Sequence, residues 1–142
     1  MKTLLAATCL LAAATLVRGI DQDNIMAKYM EYLMPDIKPC ADEMHVTEEQ
    51  ATYIQQPKTE TDMRQMGCMK ACVMKRIQIL TGTDLHLEPI YKMIEVVHAG
   101  NDDDIKLVKS IATECQETIK GETDECNIGN KYTDCYVQKL FT

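Results

Sequence analysis

The chain has 142 residues, 46% apolar and 26% charged, enough to bury one core and too apolar for a disordered segment. Its 15 basic residues face 22 acidic ones, and a net charge of −7 argues against a partner made of nucleic acid or anionic lipid, which needs a basic face. Seven cysteines in so short a chain point to an oxidising compartment.

Residues 1–19 read as a secretory signal peptide. Lys2 supplies the positive start, residues 4–17 carry no charge, and Val17 and Gly19 are small enough to precede a cleavage point. The run is shorter than the roughly 20 residues that span a bilayer. Cleavage after Gly19 leaves residues 20–142 as a single domain, secreted and extracellular. Cys9 leaves with the signal, and Lys2 and Arg18 leave too, so the mature chain is more acidic still.

The mature chain reads as helical, with six helices and no sheet. In the first, Ile25, Tyr29, Leu33 and Ile37 recur at one-turn spacing, with Met26, Met30 and Cys40 beside them. Pro35 and Pro39 are expected to kink or break it near its end. Thr47, with Gln50 three residues on, forms a capping box for a short second helix that Pro57 ends. The third, residues 62–81, has the face Met66, Met69, Val73, Ile77 and Leu80, with Gly82 as its C′ glycine.

The fourth helix, residues 87–99, tolerates Pro89 in its first turn, carries the stripe Ile90, Ile94 and Val97, and stops at Gly100. Asn101 caps the fifth, and Asp102, Asp103 and Asp104 offer carboxylates to its positive end. Its stripe is Ile105, Val108, Ile111, Ala112, Cys115 and Ile119, and Gly121 closes it. The sixth starts near Asp124 and carries Ile128, Tyr132, Cys135, Tyr136 and Leu140.

The remaining cysteines, Cys40, Cys68, Cys72, Cys115, Cys126 and Cys135, have the spacing C-x27-C-x3-C-x42-C-x10-C-x8-C. Cys68 and Cys72 leave one face of the third helix, and a bond between them would restrain almost nothing. Bonds to different helices would staple the third helix to two others. Zinc is the competing use, but the C-x3-C gap is not the usual knuckle and no His lies at a ligand spacing beside it. An even set in a secreted chain favours three disulfides over metal, with fifteen connectivities open.

This spacing on an all-helical chain resembles the six-cysteine insect odorant-binding proteins, the pheromone- and general-odorant-binding protein family, over the whole mature chain. The resemblance implies an all-α, disulfide-stapled fold enclosing an apolar cavity. It also implies the interlocked pairs Cys40–Cys72, Cys68–Cys126 and Cys115–Cys135.

No catalytic constellation is legible. His45, His86 and His98 sit near no Ser or Cys in a triad order, and each reads as an exposed loop or helix-end residue or else as a pH sensor. No enzyme, cofactor or metal site is expected. The methionines Met66, Met69 and Met93, with Met30 and Met74, lie on or beside the apolar faces. They are either ordinary core or soft walls that accept several apolar shapes.

Mostly on the strength of the resemblance, a ligand pocket is expected, lined by Leu33, Met66, Met69, Val73, Ile77, Ile90, Met93, Ile94, Val97, Val108, Ile111 and Ala112, with Tyr136 and Phe141 from the C-terminal end. The residues after Cys135 are too few to fill a drug-sized cavity. They are expected to lie across its opening as a wall or lid with Phe141 as plug, held more weakly at about pH 5 than at pH 7.

The function read from this is a secreted carrier that binds and solubilises small hydrophobic odorants or pheromones in sensillum lymph or a similar fluid. The alternatives are a secreted helical signalling or interaction protein, and the same fold carrying non-olfactory lipids. The expected partners are a small hydrophobic molecule and an olfactory receptor, with no nucleic acid and no membrane span. The chain is expected to be a monomer or weak homodimer.

Overall fold

The computed structural model describes residues 20–47 and 59–142. Residues 1–19, with the expected signal peptide, and the segment after Thr47 that was expected to form the second helix lie outside the described residues. Among the described residues the order is α1 (Gln22–Glu43), α2 (Glu60–Arg76), β1 (Leu80–Thr81), β2 (Asp84–Leu85), α3 (Leu87–Val97), α4 (Asp102–Cys115), a short 3-10 turn (Gln116–Ile119) and α5 (Glu125–Leu140).

Capping chemistry sets most of the helix starts. Asp21, Thr59, Asn101 and Asp124 each accept a hydrogen bond from a backbone N–H in the first turn of α1, α2, α4 and α5. The acidic run at residues 102–104 occupies the first turn of α4, as its charge demands.

Two expectations about α1 and α2 are corrected. Pro35 and Pro39 do not end α1, which runs on to Glu43. The N–H groups they remove would have paired with the carbonyls of Glu31 and Pro35, both on the exposed side where water can serve. The last turn is also anchored by Cys40, which is fully buried and bonded to Cys72.

Helix α2 stops at Arg76 rather than at residue 81. Gln78 turns the chain with φ 66° and Ile79 donates back to the Met74 carbonyl. Leu80–Thr81 then pairs antiparallel with Asp84–Leu85, so a two-stranded sheet stands where none was expected. Gly82, with φ 59°, is the first residue of that hairpin's turn and not a helix C′ residue. The run Ile77, Gln78, Ile79, Leu80 and Thr81 is apolar and β-branched enough to read either way. Tertiary burial of Ile79 and Leu80 decides it.

Three disulfides join the elements: Cys40–Cys72 (α1 to α2), Cys68–Cys126 (α2 to α5) and Cys115–Cys135 (α4 to α5), the pairing implied by the resemblance. The pair α2 and α5 is the most extensive helix contact. It crosses at Gly67 and Gly129, with the Cα atoms of Cys68 and Cys126 only 4.1 Å apart. Ion pairs Arg64–Asp124, Lys70–Asp134 and Lys75–Glu125 run along its rim. Being largely exposed, they orient the helices more than they stabilise them.

Candidate functional site

The apolar faces of α1, α3, α4 and α5 converge on one large cluster. Ile25 and Tyr29 come from α1, Ile90, Met93, Ile94 and Val97 from α3, and Val108, Ile111 and Ala112 from α4. Helix α5 supplies Ile128, Tyr132, Tyr136 and Leu140, while Ala71 and Met74 of α2 and Ile79 and Leu80 of the hairpin close one side. A smaller cluster of Cys40, Met69 and Val73 lies between the end of α1 and α2.

The residues named from sequence divide between these places. Ile90, Met93, Ile94, Val97, Val108, Ile111, Ala112 and Tyr136 meet in the large cluster, and Ile77 and Phe141 pack against it half-buried. Met69 and Val73 belong to the smaller cluster, Leu33 touches both, and Met66 is half-buried in neither. Met74 is core, but Met30 is exposed. With Met34, Pro35 and Pro39 it lines a shallow groove on the outer side of α1.

The C-terminal residues, expected on the last helix and as a wall or lid across the opening, continue that helix into the core. Tyr136 to Leu140 are the last turns of α5, and Tyr136 and Leu140 are buried in the core. Phe141 caps the helix and Thr142 follows it. The apolar face of α5 continues past Cys135, so the chain has no reason to leave the helix there.

Polar groups within the large cluster are few, and three of them touch one another. The Tyr29 hydroxyl lies 2.9 Å from His98 Nε2 and 2.7 Å from the Tyr136 hydroxyl. These side chains come from α1, the C-cap of α3 and α5, and none is more than 8% exposed. The Tyr136 ring meets Tyr29 edge-on and stacks on Tyr132. Tyr132 donates to the Ala112 carbonyl at 2.8 Å, in the last turn of α4 where intrahelical donors run out. Burial pushes the Tyr29 hydroxyl up to about 12 and raises Tyr132 and Tyr136 as well, so all three stay protonated donors.

His98, read from sequence as an exposed loop or helix-end residue or else as a pH sensor, does end α3 as its C-cap but is only 2% exposed, while His45 and His86 are at the surface. Burial lowers its pKa below the ordinary 6.5, with Lys28 adding to the effect and Asp104 opposing it. Its Nδ1 atom is buried and has no hydrogen-bond partner among the described residues. Spacing could have found it, because His98 follows Ile94 by four residues and so continues the apolar stripe of α3. Tyr29 stands in the stripe of α1 in the same way, and a tyrosine on an apolar face needs a partner for its hydroxyl.

Residues 18–139 match the model of the PBP/GOBP family. The chain belongs to the PBP/GOBP family. These are insect odorant- and pheromone-binding proteins, carriers of small hydrophobic ligands rather than enzymes, and the three bridges fit the family's six-cysteine pattern. Members of the PBP/GOBP family are secreted, and no helix among the described residues is long and apolar enough to cross a membrane. No curated protein matches the chain.

Proposed function

We propose that the protein is a secreted carrier that takes one small hydrophobic molecule, an odorant or pheromone, from water into the helical interior and delivers it to an olfactory receptor. The observation that carries this reading is the family match over residues 18–139. The stapled interior supports it, because α1, α3, α4 and α5 turn a continuous apolar surface inward with few polar groups. The mature chain is residues 20–142 after loss of the signal peptide, acting as a monomer or weak homodimer.

The mechanism is partition. Each Å² of apolar ligand surface removed from water contributes about 25 cal/mol, so a small odorant is held without any reaction. The wall is drawn from Ile90, Met93, Ile94, Val97, Val108, Ile111, Ala112, Tyr136 and Phe141. Met93 and Met74 are side chains flexible enough to repack around differing shapes. On the smaller cluster, Leu33, Met69 and Val73 extend the wall toward α2, with Met66 and Ile77 at its margin.

Stoichiometric uptake of a fluorescent apolar probe, and its displacement by volatile ligands, tests the reading. The oxidised protein should bind one probe per chain, and reduction of the disulfides should abolish binding. A surface-acting protein would leave the probe unbound in both states.

A further inference from the structure

The hydrogen bonds among Tyr136, Tyr29 and His98 form a chain that cannot satisfy itself. Two phenols and a neutral imidazole carry one polar hydrogen each. The chain has two links, Tyr136 to Tyr29 and Tyr29 to His98. One hydrogen is therefore left over in every arrangement.

Where it sits follows from the tautomer. If His98 carries its hydrogen on Nδ1, then Tyr136 donates to Tyr29 and Tyr29 donates to Nε2. Both phenol hydrogens are used, and the surplus donor is Nδ1–H. If the hydrogen is on Nε2 instead, a phenol hydrogen goes unused and Nδ1 is an empty acceptor as well. The first arrangement leaves one unmet group and the second leaves two, so the first is favoured. Nδ1 is the buried side-chain atom that lacks a partner among the described residues.

We propose that Nδ1–H of His98, oriented by Tyr29 and Tyr136, is the polar anchor for the carried ligand, and that the ligand class is a neutral apolar molecule bearing one hydrogen-bond-accepting oxygen. Such ligands are ketones, esters or alcohols. This rests on the carrier reading above and specifies its ligand. A hydrocarbon leaves the donor unmet. A carboxylate brings a full negative charge into an apolar cluster that offers it a single neutral donor.

The test uses undecane, methyl nonyl ketone and undecanoate, which share a chain length, in probe displacement on the mature protein and on His98→Phe. The wild type should prefer the ketone over the alkane, and over undecanoate. In His98→Phe the ketone-to-alkane preference should fall about tenfold, as loss of one buried hydrogen bond requires. Nitrogen NMR of the wild type is a second readout: the ketone should shift the His98 Nδ1–H resonance and undecane should not. This second measurement holds even if His98→Phe fails to fold.

An unchanged preference in a folded His98→Phe protein overturns the anchor while leaving the carrier intact. So does an unmoved Nδ1 resonance, tighter binding of undecanoate than of the ketone, or a water that stays on Nδ1 in the ketone complex. If none of the compounds displaces the probe from the wild type, the carrier reading falls and the anchor with it.

Discussion

Gly67 of α2 and Gly129 of α5 face each other so closely that a Cβ on either would run into backbone of the opposing helix. A Cβ at Gly67 would meet the Cys126 carbonyl and the Asn130 side chain, and one at Gly129 would meet the Gly67 carbonyl and the Ala71 nitrogen. Glycine inside a helix ordinarily costs about 1 kcal/mol relative to alanine. Its presence on both helices, beside the Cys68–Cys126 bridge, is explained by this approach.

Gly67→Ala and Gly129→Ala should therefore each destabilise the fold by about 1–3 kcal/mol, despite alanine's higher helix propensity. Urea unfolding under non-reducing conditions measures this. A neutral or stabilised variant would mean that the helices part at little cost.

The Tyr132 hydroxyl should be worth keeping for its partner. Tyr132→Phe leaves the Ala112 carbonyl without the donor that now reaches it in the last turn of α4. A loss of about 1–3 kcal/mol is expected, with helix content unchanged. Circular dichroism during thermal unfolding reads both quantities. No change in midpoint would show water replacing the phenol at that carbonyl.

His98 should make stability depend on pH in a defined direction. In the folded chain burial holds its pKa below 6.5, with Lys28 adding to this and Asp104 opposing it. The unfolded chain thus takes up a proton at higher pH than the folded chain does. The contribution of His98 is complete above about pH 6.5 and is lost as pH falls through the unfolded value toward the depressed folded one. Denaturant midpoints between about pH 7 and 5 should fall in the wild type and flatten in His98→Phe. An equal slope in both would assign the effect to other groups. Asp124, depressed chiefly by its hydrogen bond from Arg64, and Glu122, depressed chiefly by Lys131, lose their contributions only at lower pH, in the carboxylate range.

The C-terminal end should behave as core and not as a detachable flap. Leu140 is 6% exposed and packs in the large cluster, while Phe141 is half-buried against it. Leu140→Ala should cost about 2–5 kcal/mol, and Phe141→Ala less than a fully buried aromatic would. Chemical denaturation of both variants separates the two positions. Equal and negligible losses would return the segment to the role of a lid. Since deleting residues 140–142 removes core side chains, a drop in ligand affinity on that truncation would not by itself identify a gate.

Much of this protein is decided by local pattern. The stripes of α3, α4 and α5 are set by one-turn recurrence of apolar residues, and their starts by Asn101 and Asp124, because a cap and a face need only neighbours within a few residues. The cysteine spacing carried the family, and the family carried the bridges. Chain pattern could not settle what depends on distant partners. Tyr29 meets His98 and Tyr136 across separations of 69 and 107 residues, so a histidine at a helix end becomes a buried hydrogen-bonding group only because α1 and α5 pack against it. The apolar run 77–81 becomes a hairpin because Ile79 and Leu80 are buried there. Gly67 and Gly129 acquire their meaning only from each other. Helix periodicity is a short-range property of the chain, whereas burial, close approach and the pairing of polar groups are properties of the packed whole.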